Sequence, residues 1–166
     1  DCSNMCHESS GVALTESIGI GKGTVTLDDF NFADLIIVVG QNPGTNHPRM
    51  LTALRDAKKK GASIISINPL VETGMKKFKH PQNPIEMLGF GSSIADKHLK
   101  VKINSDQALF RAFSKSIIDS GNIDEDFISN YTNGFDEYRE KVIDSNYDEI
   151  SKITGISLQD ILEVGN

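Results

Sequence analysis

The run Leu35-Ile36-Ile37-Val38-Val39-Gly40 constrains the fold more than any other segment of this 166-residue chain. Its residues are leucine and β-branched side chains without the polar alternation of a half-solvated strand, so it describes a strand covered on both faces, as in a parallel sheet. Turn chemistry follows in Asn42-Pro43-Gly44-Thr45-Asn46. Pro48 then stands where a helix can begin, because a first helical turn leaves that N–H unpaired anyway. Leu51, Leu54 and Ala57 or Lys58 recur at helical spacing toward Lys60, and Gly61 supplies a C-terminal cap. A second apolar run, Ser63 to Ile67, completes a strand, helix, strand unit.

The spacing predicts a third strand over Leu99 to Ile103 and, after it, a helix that starts within Asn104-Ser105-Asp106 and continues to about Ser120. Shorter helices are predicted over Glu125 to Tyr131, Gly134 to Asp144 and Asp148 to Ile153, with Ser157 capping a last one that reaches Val164. A further helix is expected over Met5 to Ile18. The expected fold class is therefore α/β: a Rossmann-like three-layer domain with a mainly parallel sheet, followed by short C-terminal helices. Between the second and third strands, residues 70–95 lose clear period and carry Gly74, Pro81, Pro84, Gly89 and Gly91. A long excursion of this kind is expected to act as a lid or partner surface.

No apolar run approaches the roughly 20 residues that span a bilayer. With 17 Lys+Arg against 23 Asp+Glu, the net charge of −6 leaves no broad basic face for nucleic acid. The basic run Lys58 to Lys60 falls at a helix end, where cations complement the macrodipole. Two cysteines do not make a secreted disulfide framework, and nothing resembles a targeting segment, so a cytoplasmic protein is expected. The first residue is Asp1, and the natural N-terminus is expected elsewhere.

Ligands of open α/β sheets lie beyond the carboxyl ends of the strands, near a switch point in strand order. Three segments converge there: Gly40 to His47, Ile67-Asn68-Pro69, and Lys102 to Asp106. Gly40 lets a ligand approach the backbone, and the Thr45-Asn46 turn is expected to present N–H groups that suit a phosphate. Asn68 and Asp106 are candidates for reading a ribose or a base edge. The same residues are also ordinary turn and cap residues, and spacing leaves both readings open. In Cys6-His7 a thiolate suits a transition metal and an imidazole suits proton transfer, although a structural cysteine fits as well. Cys2 and Cys6 alone complete neither a zinc nor an iron–sulfur site. Gly19, Gly21 and Gly23 do not lie between a strand and a helix, so they fail the context of a dinucleotide fingerprint.

Taken in order, Asp1-Cys2-Ser3-Asn4-Met5-Cys6-His7-Glu8, Ala33 to Pro43, His47-Pro48, Lys60-Gly61-Ala62 and Asn68-Pro69 resemble molybdopterin oxidoreductases. The likeness is nearest to the formate dehydrogenase alpha-subunit branch, and it continues through Ser105-Asp106, Gly134 to Tyr138 and Ile153 to Ser157. The resemblance implies that Cys6 ligates molybdenum and that His7 handles protons. It implies a bis(molybdopterin guanine dinucleotide) cofactor, with Gly40, Asn42, Asn46, Asn68 and Asp106 cradling one guanine dinucleotide. It further implies an iron–sulfur cluster elsewhere in the parent, and a domain, residues 1–166, excised from a larger multidomain enzyme whose other domains are its partners. Such an isolated domain is not expected to turn over. Leu70 stands where the family has a basic residue, Asn68 where it has Asp, and residues 70–95 are longer than usual. Two alternatives are a non-catalytic electron-transfer subunit of the same fold and a generic nucleotide-binding module built on the Asn42 turn.

Overall fold

The computed structural model describes residues 7–79, 91 and 93–166. Strands β1 (Leu35–Val39), β2 (Ser63–Ile67) and β3 (Lys97–Leu99) form a parallel sheet in the order β1-β2-β3. Leu35 pairs with Ser63 and Val39 with Ile67, while Ile65 to Ile67 pair with Lys97 to Leu99. Helix α1 (Glu8–Ile18) and a 3-10 turn (Asp28–Phe32) precede the sheet. Between its strands lie α2 (Pro43–Asn46), α3 (Pro48–Lys59) and α4 (Thr73–Lys76). After it come α5 (Asp106–Asp119), α6 (Glu125–Tyr131), α7 (Phe135–Ile143), α8 (Tyr147–Thr154) and α9 (Leu158–Gly165).

The two-residue period of the strands divides the core into two layers. Ile36, Val38 and Ile64 pack with Leu51 and Leu54 of α3 and Met75 of α4. Ile37, Val39, Ile65 and Ile67 point the other way, against Leu109 and Phe113 of α5, Ile150 of α8 and Ile161 of α9. Helices therefore cover both faces, and the domain is the α/β fold with C-terminal helices that the apolar runs imply. The later helices begin at side-chain caps: Asp124 accepts from the Phe127 N–H, Asn146 from Asp148 and Glu149, and Ser157 from Asp160. Lys97 reaches both Asp160 and Glu163 at 2.7 Å and fastens β3 to α9.

Asp96 closes the amino end of the sheet. One carboxylate oxygen accepts from the Ile64 N–H at 2.9 Å and the other from Lys58 Nζ at 2.6 Å, so α3, β2 and the start of β3 meet at one side chain.

The third strand lies earlier than Leu99 to Ile103. The Asp96 N–H donates to the Ile64 carbonyl at 2.7 Å, which draws the pairing upstream. Asn68 N–H to the Leu99 carbonyl at 3.0 Å follows the last strand pair, and Pro69 next in line has no N–H to continue the ladder. Beyond Leu99 the chain peels away. Val101 turns into the core, Lys102 donates its N–H to the Thr154 carbonyl, and Asn104 takes a left-handed φ of 64°. α1 buries none of its residues, and the proposed start of its helix at Met5 lies outside the described residues. Of the 70–95 excursion, α4 is helical and Ile94 and Ala95 join the α3 layer. Residues 80–90 and 92 lie outside the described part, and with them nearly half of the expected lid or partner surface.

Candidate functional site

The loops leaving β1 and β2 are tied together above the carboxyl end of the sheet. Gly40 N–H donates to the Ile67 carbonyl at 2.9 Å, which carries the β1–β2 ladder one residue past the strands. Its φ of 63° is the left-handed region, and no described residue lies within 4 Å of where a Cβ would sit, so conformation calls for glycine here and the backbone is open to approach among the described residues. Asn68 Nδ2 reaches back to the Gln41 carbonyl at 3.3 Å. Asn42 Nδ2 donates to Glu72 Oε2 at 2.7 Å, joining the turn after β1 to the segment entering α4. Beside that bond, Gly44 and Gly74 pack backbone to backbone: a Cβ on Gly74 would lie 3.0 Å from Gly44 Cα.

Gly40, Asn42 and Asn68 therefore belong to one network. Asn46 joins it only through the backbone, its N–H donating to the Asn42 carbonyl at 3.0 Å, while its side chain is exposed. Thr45 N–H goes to the same carbonyl, and His47 N–H goes to Pro43. These are the donors expected to face a phosphate, and that expectation is corrected: Pro43 starts a turn of helix that consumes them internally. Asp106 is the exposed first residue of α5, behind buried Ser105, whose hydroxyl donates to the Lys102 carbonyl. It makes no side-chain hydrogen bond among the described residues.

His7 is exposed and immediately precedes α1, capping nothing with its ring. It borders a hollow of about 420 Å³ lined by α1 residues and Gly21, not by the strand-end loops. Cys6, the proposed metal ligand, lies outside the described residues, as does Cys2. Among the described residues no cluster of three or more His, Cys, Asp or Glu is placed to hold a metal. A larger groove of about 620 Å³ runs along the outer face of α3 beside the 3-10 turn, and none of the network residues lines it.

Sequence patterning missed two residues. Glu72 stands thirty positions from Asn42, so no local spacing announces their bond. His98 lies on β3 opposite Ser66, and its Nδ1 is buried without a partner among the described residues. Burial, and after it the charge of Lys76, hold this imidazole below its usual pKa. The polar equipment of the strand ends suits the sugar and base of a nucleotide: an open backbone at Gly40, the side-chain Oδ1 of Asn42 without a described partner, and exposed Asn46 and Asp106. The nearby Lys102 is committed, its Nζ donating to the Lys152 carbonyl at 2.8 Å.

Comparison with known proteins gives a consistent picture. The family model described as molybdopterin oxidoreductase matches residues 1–157. An uncharacterized oxidoreductase of Mycobacterium tuberculosis is 46% identical over 99% of this chain and 22% of its own length. Formate dehydrogenase H of Escherichia coli is 30% identical over 96% of this chain and 20% of its own length. Acetylene hydratase from Pelobacter acetylenicus shares the fold, with a TM-score of 0.72 at 24% identity, over 97% of this chain and 19% of that one. The chain thus spans about a fifth of the length of the relatives it matches. No helix among the described residues is long and apolar enough to cross a membrane.

Proposed function

The chain belongs to the molybdopterin oxidoreductase family, and from that premise we propose that residues 1–166 are one cofactor-binding domain of a larger, cytoplasmic, molybdenum-dependent two-electron oxidoreductase of the formate dehydrogenase kind. Gly40, Asn42, Asn46, Asn68 and Asp106 hold the guanosine side of one half of a bis(molybdopterin guanine dinucleotide) cofactor. Cys6 ligates the molybdenum, and His7 beside it handles a proton. Formate or another small oxidisable molecule is the substrate, and an iron–sulfur cluster elsewhere in the parent takes the electrons.

One observation carries this reading: the hydrogen-bonded network of Gly40, Asn42, Asn68 and Glu72 at the carboxyl ends of β1 and β2, where open α/β sheets bind ligands. When bound, the cofactor supplies the redox chemistry, and the protein supplies its position. Gly40 leaves room for a ligand at the backbone. Asn68 holds the β2 loop to the β1 loop, which keeps the two walls at a fixed separation. Asn42 and Asp106 offer oxygens to hydroxyl or N–H groups of the nucleotide.

The test is elemental and nucleotide analysis of the full-length protein. Molybdenum together with guanine nucleotide released on denaturation is expected, and Cys6→Ser abolishes turnover. A molybdenum-loaded, fully active Cys6→Ser enzyme overturns the ligand assignment. Iron without molybdenum marks a structural electron-transfer subunit of the same fold instead.

A further inference from the structure

A carboxylate can only accept hydrogen bonds, so Glu72 decides which way the carboxamide of Asn42 faces. With Glu72 Oε2 at 2.7 Å, the group turned toward it is the amide nitrogen, because the opposite orientation would set two acceptor oxygens against each other. Asn42 Oδ1 is left to face elsewhere, 3.8 Å from the position a Cβ on Gly44 would take, and no described residue donates to it. Asn68 behaves differently. Its Nδ2 meets the Gln41 carbonyl and its Oδ1 faces the Leu70 N–H at 3.5 Å, so both ends turn toward protein. The N–H groups of Thr45 and Asn46 are spent on the Asn42 carbonyl. What the side chains of the β1 loop present is a fixed acceptor beside a carboxylate. A phosphate oxygen has no proton to give to the first and is repelled by the second.

Resting on the nucleotide-binding reading above, we infer that Glu72 is a positioning residue that makes Asn42 an acceptor for an N–H or O–H donor of the bound dinucleotide, from its guanine edge or a ribose hydroxyl, and that this loop does not hold a phosphate.

Cofactor-stripped full-length protein is titrated calorimetrically with guanosine, 2′,3′-dideoxyguanosine and inorganic pyrophosphate. Asn42→Ala removes the acceptor and weakens guanosine about tenfold. Asn42→Asp sets two carboxylates against each other and weakens it by a similar factor. The exchange Asn42→Asp with Glu72→Gln restores guanosine binding at least to the wild-type level, because a donor again faces an acceptor and the net charge is unchanged. Pyrophosphate affinity stays within about twofold throughout, which a merely structural role for Glu72 would not produce. Dideoxyguanosine separates the two donor sources: wild-type affinity for it assigns the donor to the base, and its loss assigns the donor to the ribose. Guanosine binding that is indifferent to Asn42→Ala overturns the inference, as does an exchange variant that folds with the wild-type Tm yet stays weak. Selective loss of pyrophosphate overturns it too. These outcomes leave the family-level function standing. A native protein that carries no molybdopterin and binds none of the probes removes both.

Discussion

Tyr147 and Asp96 are residues whose surroundings set opposite pH dependences. Burial, reinforced by the hydrogen bond to Asp119 and by that carboxylate's charge, pushes the Tyr147 hydroxyl up to about 12 from 10.0. The folded state thus prefers the neutral phenol. Its contribution to stability is whole below pH 10.0 and drains away as pH rises toward about 12. In an alkaline absorbance titration, Tyr147→Phe removes a tyrosine transition at about 12; a titration unchanged by the substitution refutes the assignment. For Asp96, burial alone would raise the pKa, but the hydrogen bonds from Lys58 and the Ile64 N–H, with the Lys58 charge, outweigh it and bring the pKa below 3.8. That contribution is present above pH 3.8 and lost as pH falls through the depressed value. Asp96→Asn keeps an acceptor for Ile64 but deprives Lys58 of its anion. Because the pair is partly solvated, the expected cost is about 0.5 kcal/mol at neutral pH. Urea unfolding across the acid range checks it, through a shallower loss of stability below pH 4 than in the wild type, on the order of that same energy.

At the scale of elements, the contact between α2 and α4 depends on two glycines. A methyl on Gly74 would meet Gly44 Cα at 3.0 Å and Leu51 Cδ1 at 3.2 Å, and the first of these is backbone that cannot rotate away. The helix preference that alanine brings, about 1 kcal/mol, is exceeded by overpacking of about 1–3 kcal/mol. Gly74→Ala therefore lowers the Tm and slackens the Asn42–Glu72 bond, measurable as faster amide exchange over α2; a Tm at or above wild type contradicts this packing. Deeper in the same layer, Leu54 is fully buried, and Leu54→Ala is expected to cost about 2–5 kcal/mol in denaturant unfolding. Such core positions were legible in the sequence because both strands and α3 repeat their apolar residues at the periods the elements require. The third strand was displaced because Pro69 ends its partner's ladder and Asp96 begins it early, and both effects act between segments distant in sequence. Gly40, Asn42 and Asn68 were legible as strand-end residues. The turn of helix that spends the Thr45 and Asn46 donors was not, because the same residues suit an open anion-binding turn. Glu72 was beyond reach, since its bond to Asn42 depends on how α4 folds back over α2.

For the whole molecule, burial is unevenly distributed. α1 contributes nothing to either core layer, and Val12 and Ile18 are about half exposed, followed by exposed Val25 and Leu27. In the 166-residue chain alone, amide hydrogens of α1 are expected to exchange far faster than those of β2, whose Ile64 to Ile67 are all buried. Mass-resolved exchange reads this directly, and equal protection of the two segments would mean that α1 is anchored by more than its described contacts. The placement of the helices has a consequence for handedness. α3 joins β1 to β2 across one face, whereas α5 leaves β3 on the opposite face. Parallel connections are almost always right-handed, so any return from β3 through the α5 face would travel backward across the sheet, and among the described strands the flank it would meet is that of β1. A strand delivered there would reverse the direction of winding beside β1, and the cleft that such a reversal opens would lie directly over Gly40 and Asn42.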